Sequence, residues 1–582
     1  MFGNKIVASG MEVTEFSDDT MTITCKNGYI YRLDDILLPP SNMAEELRKR
    51  PDTRIFSHLL DRFCVPVYDE DLTVKYKELY GTNDSIFRLR YFTKKFTSYT
   101  LLENTRNNPL PDELLNYDPG WNALQASDQT AAERDMAAMF VPNDEALFNY
   151  FTDPNGGRFM IDYFAADVVV EDNDINSLLV ALDRVPQVNI AAFLNNMMKS
   201  SFQATVPSKF DKVTNDANDP IGLGEHHVDE CVIANNGVIY ILNNVFAPAA
   251  FEAVSAPTLV YENMRLMRIT VKQLRYDYYL LAMDAKYSFM IPDDNHFVYF
   301  DPVTLKERGS QPGEMCIFHY NNKRPDSDST TMEMWFEKYR FDPATYVAGG
   351  HKGDTLAKGT KVDVSGSNFG GNAFVKNRMT DLLEYLIVVH DVDKNNPESE
   401  RFNANKKYYS TKGYGTVKVD ASDYNNIKIY GGEQLETGTT ILVSNVYDEN
   451  SGVSNGITYC TVPEKTEAEG DSTGVRYYSG IPTPPTRSVY DNMSMLAKDS
   501  ADVYYEFYNL CNFTPRRVQY LKNKNLPEDE WVLGDSMKTY QIFYTESGGT
   551  MVNAVPFFNT YHYTVYIPTN ESLQELFAQG FP

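Results

Sequence analysis

An Asn-Gly step followed by a strand-forming run occurs three times at long spacing: Asn27-Gly28-Tyr29-Ile30-Tyr31, Asn236-Gly237-Val238-Ile239-Tyr240 and Asn455-Gly456-Ile457-Thr458-Tyr459. Asn-Gly favours a tight turn, and branched and aromatic residues after it favour a strand, so each copy predicts a strand leaving a turn. The first two copies stay in register through Leu33-Asp34-Asp35-Ile36 and Leu242-Asn243-Asn244-Val245 and then reach Pro39 and Pro248. The three asparagines stand 209 and 219 residues apart, far more than the roughly 20–50 residues of units that stack into solenoids. Each repeat is therefore expected to be a whole domain with its own core.

Two further signatures recur. Pro51-Asp52-Thr53, Pro257-Thr258 and Pro485-Thr486 each place a capping residue after a proline and before an apolar stripe; Phe56, Leu59, Leu60 and Phe63 fall on one helical face. The last two copies also share Tyr261-Glu262-Asn263-Met264 and Tyr490-Asp491-Asn492-Met493. The third signature is an apolar strand, a proline, a polar cap and a helix. It reads Val141-Pro142-Asn143-Asp144-Glu145-Ala146-Leu147, Ile291-Pro292-Asp293-Asp294-Asn295-His296-Phe297 and Ile567-Pro568-Thr569-Asn570-Glu571-Ser572-Leu573. Proline ends the strand, Asn143, Asp293 or Thr569 caps the helix, Glu145 or Glu571 sits at its positive end, and Leu147, Phe297 or Leu573 turns inward.

Composition narrows function. A net charge of −27, from 53 basic and 80 acidic residues, opposes binding to a phosphate backbone, so nucleic acid is not an expected partner. No run of about 18 apolar residues predicts a membrane span, and the first residues lack the regions of a signal peptide. The six cysteines, Cys25, Cys64, Cys231, Cys316, Cys460 and Cys511, have neither zinc spacing nor the density of a disulfide framework, and are expected to be free and mostly buried.

The Pro-[Thr/Asn]-[Asn/Asp]-Glu-x-Leu element, followed by Asn-Gly-[Val/Ile]-[Ile/Thr]-Tyr and a short apolar strand closing in proline, resembles the fasciclin domain. The motif residues are Pro142, Asn143, Glu145, Asn236, Gly237, Tyr240, Pro292, Asn455, Gly456, Tyr459, Pro568, Asn570 and Glu571. The resemblance covers nearly the whole chain and implies an α+β fold of tandem units, each a two-sheet β wedge with helices on one side. It places the end of one domain in residues 1–50, full domains at 51–255 and 256–485, and the front of another at 486–582, as though the chain were a fragment. Insertions are expected between the first helix and the next strand, at Tyr91 to Thr105 and Gln519 to Asp535.

The chemistry-bearing clusters read more plainly as structure. His226 and His227 in an alternating strand face opposite sides and do not share a metal. Asp391-Val392-Asp393-Lys394-Asn395 begins like a calcium loop but has Asn396 and Phe402 at the sixth and twelfth positions; Asp172-Asn173-Asp174-Ile175-Asn176 fails in the same way. Gly366-Ser367-Asn368-Phe369-Gly370-Gly371 lacks the lysine of a P-loop, so no cofactor is expected. No nucleophile elbow or zinc helix occurs, and no Ser/His/Asp set recurs between copies. His390 stands in a segment where fasciclin domains often carry a Tyr-His pair linked to adhesion. Val389 occupies the tyrosine's place, and the comparable stretch Phe193 to Ser201 lacks both, so His390 is expected to hold local structure.

Asp-Ser/Thr triplets such as Asp84-Ser85-Ile86, Asp354-Thr355-Leu356 and Asp499-Ser500-Ala501 resemble O-glycosylation acceptors of Bacteroidetes envelope proteins. The chain is thus similar to multi-fasciclin surface lipoproteins, which implies a non-enzymatic adhesion or binding role at the cell envelope, a protein or glycan ligand, and membrane attachment through a segment outside this chain. The alternative is a glycan-binding accessory protein of a polysaccharide-uptake system, using aromatics such as Tyr408-Tyr409, Tyr477-Tyr478 and Tyr504-Tyr505 for stacking.

Overall fold

The computed structural model describes residues 6–8, 11–13, 22–31, 40–93, 114–120, 136–154, 156–300, 313–320, 334–341, 353–363, 368–369, 374–465, 478–485, 492–493, 495–512, 545–546, 552–553 and 564–580. The chain divides into two compact units. The first comprises Met1–Tyr287, Tyr320–Trp335 and Tyr447–Thr458; the second comprises Ser288–His319, Phe336–Val446 and Tyr459–Pro582.

The first unit contains hairpins β1–β2 (Ile6–Ala8, Met11–Val13) and β3–β4 (Thr22–Cys25, Gly28–Tyr31), an antiparallel pair β5–β6 (Cys64–Tyr68, Phe87–Tyr91) and a four-stranded sheet. That sheet contains β7 (Ala137–Pro142), β8 (Met198–Lys199), β9 (Val228–Ala234) and β10 (Gly237–Leu242) in the order β8-β7-β10-β9. β10 is buried along its whole length and runs parallel to β7, the continuous apolar spelling expected of a strand with no face in water. β9 is the exposed edge, blunted by Glu230, which pairs with Arg50 at 2.7 Å.

Helices α1 (Met43–Lys49), α2 (Arg54–Asp61), α3 (Glu70–Tyr80), α4 (Asp144–Thr152), α5 (Arg158–Phe164), α6 (Ile175–Leu182) and α7 (Gln187–Met197) follow along the chain. The core joins Phe56, Leu59 and Phe63 to Phe140, Phe151, Phe193 and Tyr240, with Phe140 stacked on Tyr240 at a centroid distance of 5.2 Å. Among the described residues no single helix is long and apolar enough to cross a membrane.

The tight turn expected before the Asn-Gly strand is present in the first two copies, whereas in the third a 3₁₀ turn, Glu449–Ser451, lies in a longer connection before Gly456. Cys25 pairs with Gly28 and Ala234 with Gly237, leaving a two-residue turn in each case. The glycine is required by crowding in the second copy. A Cβ on Gly237 would stand 2.5 Å from the Ala137 carbonyl oxygen on the parallel neighbour and 2.7 Å from Met43 Sδ. Backbone cannot yield as a flexible side chain does, so Gly237→Ala is expected to destabilise the first unit by about 1–3 kcal/mol. A loss below about 0.5 kcal/mol in urea unfolding would contradict that crowding.

Helices α8 (Ala256–Val260), α9 (Arg265–Gln273) and α10 (Asp277–Leu280) complete the first unit. They correct the second signature. The buried positions Leu266, Met267, Thr270 and Val271 of α9 repeat the spacing of Ile55, Phe56, Leu59 and Leu60 on α2. The helix containing Pro257 therefore corresponds to α1, one helix earlier than Pro51 suggests. Thr258 lies inside α8, and the Thr53 hydroxyl donates to the Leu47 carbonyl at 2.9 Å instead of capping α2.

Strand β11 (Tyr287–Pro292) begins the second copy, and the second unit continues with a five-stranded sheet of order β12-β13-β14-β15-β16. Its strands are β12 (Val298–Phe300), β13 (Gly313–Tyr320), β14 (Met334–Phe341), β15 (Gly353–Asp363) and β16 (Asn368–Phe369). This is an insertion that the sequence reading missed, and it removes the helix expected after Pro292. Asp293 caps only a 3₁₀ turn, Asp294–His296, because the run Phe297-Val298-Tyr299-Phe300 prefers a strand to a helix. Phe297 still turns inward, at 1% exposure.

A seven-stranded sheet carries the rest. After α11 (Phe374–Tyr385) come β17 (Ile387–Val389), β18 (Tyr408–Ser410), β19 (Thr416–Asp420), β20 (Lys428–Tyr430), helix α12 (Gly432–Thr437), β21 (Ile441–Tyr447) and β22 (Gly456–Pro463). The order is β17-β11-β22-β21-β20-β19-β18. Its first four positions repeat β8-β7-β10-β9, and a bridge from Val388 to Thr411 ties the β17 end back toward β18.

The final copy contains α13 (Tyr505–Asn512) and α14 (Asn570–Ala578), with Thr569 accepting from Ser572 N–H as the cap. The segment before Pro568 is not a strand. Tyr566 is 88% exposed, and no described strand lies beside it to complete a ladder. The expected insertion Gln519 to Asp535 lies outside the described residues. In the first insertion, described structure begins earlier than Tyr91, with β5, α3 and β6; residues 94–113 lie outside the description.

Candidate functional site

The motif residues hold the fold together. Asn236 accepts from Met43 N–H at 2.9 Å and donates to the Pro119 carbonyl at 2.9 Å. Asn455 accepts from Val254 N–H at 2.6 Å and donates to the carbonyls of Leu280 at 2.8 Å and Ala282 at 3.1 Å. Met43 and Val254 are 211 residues apart, as are Ile55 and Leu266 in the matching helix positions. The same amide clamp thus joins the Asn-Gly turn to the first helical segment in both copies. Gly456 stands against Tyr287 as Gly237 stands against Ala137. Tyr240 and Tyr459 are buried, at 2% and 0% exposure.

The proline signature also makes a long-range tie. Pro142 closes β7, Asn143 caps α4 by accepting from Ala146 N–H at 2.9 Å, and exposed Glu145 lies in the first turn. The next residue after the cap reaches across: Asp144 accepts from Ile55 N–H at 2.8 Å, and Asn570 accepts from Glu506 N–H at 2.9 Å. Glu571 takes the first-turn place in α14. Pro292 ends β11, and Asp293 N–H donates to the Thr461 carbonyl at 2.9 Å. None of these residues forms a reactive cluster.

The other sequence candidates separate clearly. His226 and His227 belong to a 3₁₀ turn, Glu225–His227, rather than an alternating strand, so their rings are not on opposite faces; the centroids are 3.8 Å apart. The described residues contain no group of three metal-ligating side chains. Asp393 accepts from Asn395 N–H within its own turn, and Asp174 caps α6. The Gly366 to Gly371 stretch is described only at Asn368 and Phe369. Cys25, Cys64, Cys231, Cys316 and Cys460 form no disulfide, but of these only Cys316 and Cys460 are buried; Cys231 is exposed on the edge strand β9.

His390 has a partner that spacing did not reveal. Ser288 Oγ lies 2.7 Å from His390 Nε2. Burial holds the imidazole neutral, lowering its pKa to about 4, and Phe402 and Tyr409 pack their ring edges around it. Ser288 is 0% and His390 8% exposed, so this pair is a sealed element of the core rather than a nucleophile awaiting substrate.

No protein-family model matches the chain, and no curated protein does. Among solved structures, the FAS1 domain pair of the insect cell adhesion molecule fasciclin I is similar at 13% identity, over 57% of this chain and 89% of that one, with a TM-score of 0.20. That score is too low to carry a functional argument. The α+β class rests on the elements described above.

Open chemistry lies in a cavity of about 760 Å³ within the first unit. Its walls come from the end of α7 and β8, the Lys212 to Asn218 loop, and α8 to α10. Among the described residues, six charged ones line it: Lys199, Lys212, Arg268, Lys272, Asp216 and Asp277. Half-buried Lys199 donates to the Thr214 carbonyl at 2.8 Å, and burial pushes its pKa down to about 8. Asp216 receives the N–H groups of Ala249 and Ala250 at 2.7 and 3.0 Å, while burial raises its pKa. Burial likewise raises that of Asp277.

Sequence reading did not find this site. Its residues are spread from Asn116 to Leu281, with no short motif joining them.

Proposed function

We propose that this is a non-enzymatic adhesion or binding protein of the cell envelope, built from tandem fasciclin-like domains whose divisions follow the repeats. The repeated asparagine clamp carries the reading. Copies that preserve an architectural hydrogen-bond set without repeating a reactive set point to a scaffold that presents variable surfaces. The insertion after α2 is one such surface, with Tyr68 43%, Phe87 41% and Leu89 45% exposed. Two Asp-Ser triplets whose side chains are described, Asp84-Ser85 and Asp499-Ser500, expose both residues, compatible with modification during export.

A glycan-binding accessory role is the second reading. Tyr408, Tyr414 and Tyr424 are 57%, 74% and 40% exposed, although neighbouring Tyr409 is buried. Parallel arrays of extracellular proteins and of glycans distinguish the two. The primary reading expects protein ligands whose signal falls at least tenfold in the Tyr68→Ser/Phe87→Ser/Leu89→Ser variant. Retention only by glycans, lost in Tyr408→Ala/Tyr414→Ala, would overturn it for the second; turnover in a hydrolase panel would overturn both.

A further inference from the structure

We propose that the open edge of β9 takes up an extended basic segment of another protein as an added antiparallel strand. The inference is independent of the adhesion reading, which assigns recognition to the insertion after α2. In the second copy the counterpart of β9 is β21, and its outer edge is already paired: β20 runs antiparallel to it, with Lys428 opposite Leu442 and Ile429 opposite Ile441. The first copy supplies no such strand. Between β8 and β9, where every residue is described, the chain forms the 3₁₀ turns Pro207–Lys212 and Glu225–His227, and β9 ends its sheet.

Strand register sets which groups are open. Ala234 and Gly237 close the two-residue turn as a hydrogen-bonded pair, and such pairs alternate with non-bonded ones along an antiparallel ladder. Val232 therefore exchanges bonds with Ile239, whereas the N–H and C=O of Cys231 and Ile233 point away from β10. Among the described residues no segment bonds to them. Cys231 and Ile233 also share one face of the strand, where both are exposed, Ile233 at 69%. An added strand satisfies these four backbone groups and covers Ile233 at once.

Charge selects the occupant. β9 reads Val228-Asp229-Glu230-Cys231-Val232-Ile233-Ala234, with two exposed carboxylates and no basic residue. Glu230 shares Arg50 with Asp52, and Asp229 is held by the neutral amides of Asn143 and Asn243, both at 3.0 Å. A second copy of this chain, acidic on the same edge and at net charge −27, is repelled. A strand carrying lysine or arginine between branched residues is attracted, because opposite charges across a strand pair stabilise it.

Fluorescence anisotropy of the full chain with labelled seven-residue peptides tests the proposal. Thr-Lys-Val-Lys-Val-Lys-Thr is expected to bind at least tenfold more tightly than Thr-Glu-Val-Glu-Val-Glu-Thr, and than the fully N-methylated lysine peptide, which keeps the charge but cannot form a ladder. Saturation with the lysine peptide is expected to slow hydrogen exchange at Cys231 and Ile233 N–H at least tenfold and to leave Val232 N–H unchanged. Cys231→Pro, which removes an outward donor but no bond to β10, is expected to weaken that peptide at least tenfold with an unchanged circular dichroism spectrum. The exposed substitution Ile233→Lys supplies a second measure, an expected loss of at least threefold, while Tyr68→Ser/Phe87→Ser/Leu89→Ser leaves binding unchanged. Absence of binding, equal affinity for the glutamate or methylated peptide, unaltered exchange at Cys231 and Ile233, unchanged affinity in Ile233→Lys, or loss of binding in the insertion variant would overturn the proposal. Self-association of the chain that Ile233→Lys abolishes would overturn it in favour of a second copy.

Discussion

Replacing Asn455 by alanine is expected to cost the first unit about 3–5 kcal/mol, among the largest effects of a single substitution in this chain. Asn455 is 0% exposed and its amide makes three hydrogen bonds to Val254, Leu280 and Ala282. Truncation leaves one backbone donor and two carbonyls without that partner. Each buried group left unpaired costs about 1–3 kcal/mol. Water entering the vacated space recovers part of that loss, which sets the range below the simple sum.

The affected segment is specific. Hydrogen exchange at Val254 N–H is expected to accelerate at least a hundredfold in Asn455→Ala, while Met43 N–H, held by Asn236, changes much less. Asn455→Asp retains an acceptor for Val254 but turns a buried carboxylate oxygen on the Leu280 and Ala282 carbonyls, so its cost is expected to be at least that of alanine. Unaltered exchange at Val254 in Asn455→Ala would show that the clamp does not support this segment.

Acid is expected to destabilise the second unit through His390. The folded pKa is about 4, depressed by burial, against about 6.5 in an unfolded chain. Between those values the unfolded state binds the proton and the folded state does not. Stability is therefore retained above about 6.5 and falls as pH drops toward 4, by on the order of 3 kcal/mol. The Lys406 charge adds to the burial effect, whereas a backbone hydrogen bond at Ser399 opposes it.

His390→Gln preserves a polar partner for Ser288 without a titrating imidazole. Exchange rates across residues 386–390 are expected to rise from pH 6.5 to 4.5 in the wild type, after correction for intrinsic exchange, and to stay nearly flat in the variant. The same slope in both proteins would place the acid sensitivity elsewhere. The Ser288–His390 pair also illustrates why nearby nucleophile and base groups do not alone make an active site: this serine is enclosed on every side accessible to water.

Local chemistry was legible where neighbouring residues decide the conformation. Asn-Gly before branched and aromatic residues marked the starts of β4, β10 and β22, and Pro-Asn-Asp-Glu marked the end of β7 and the cap of α4. The same rule overreached at Pro292 and Pro568. A helix after Pro292 lost to a strand-forming run, and a strand before Pro568 requires a ladder partner. Pro257 resembled Pro51 locally, yet the buried spacing of the following helix assigns it to the preceding helical position.

The repetition, the acidic balance and the turn and cap residues were readable from the order of amino acids, because these depend on composition and on contacts within a few positions. What Asn236, Asn455, Asp144 and Asn570 grip, and that Ser288 meets His390, came from packing. Those outcomes join groups separated by 64 to 201 residues. At such separations sequence distance does not specify spatial distance; strand register and helix packing do.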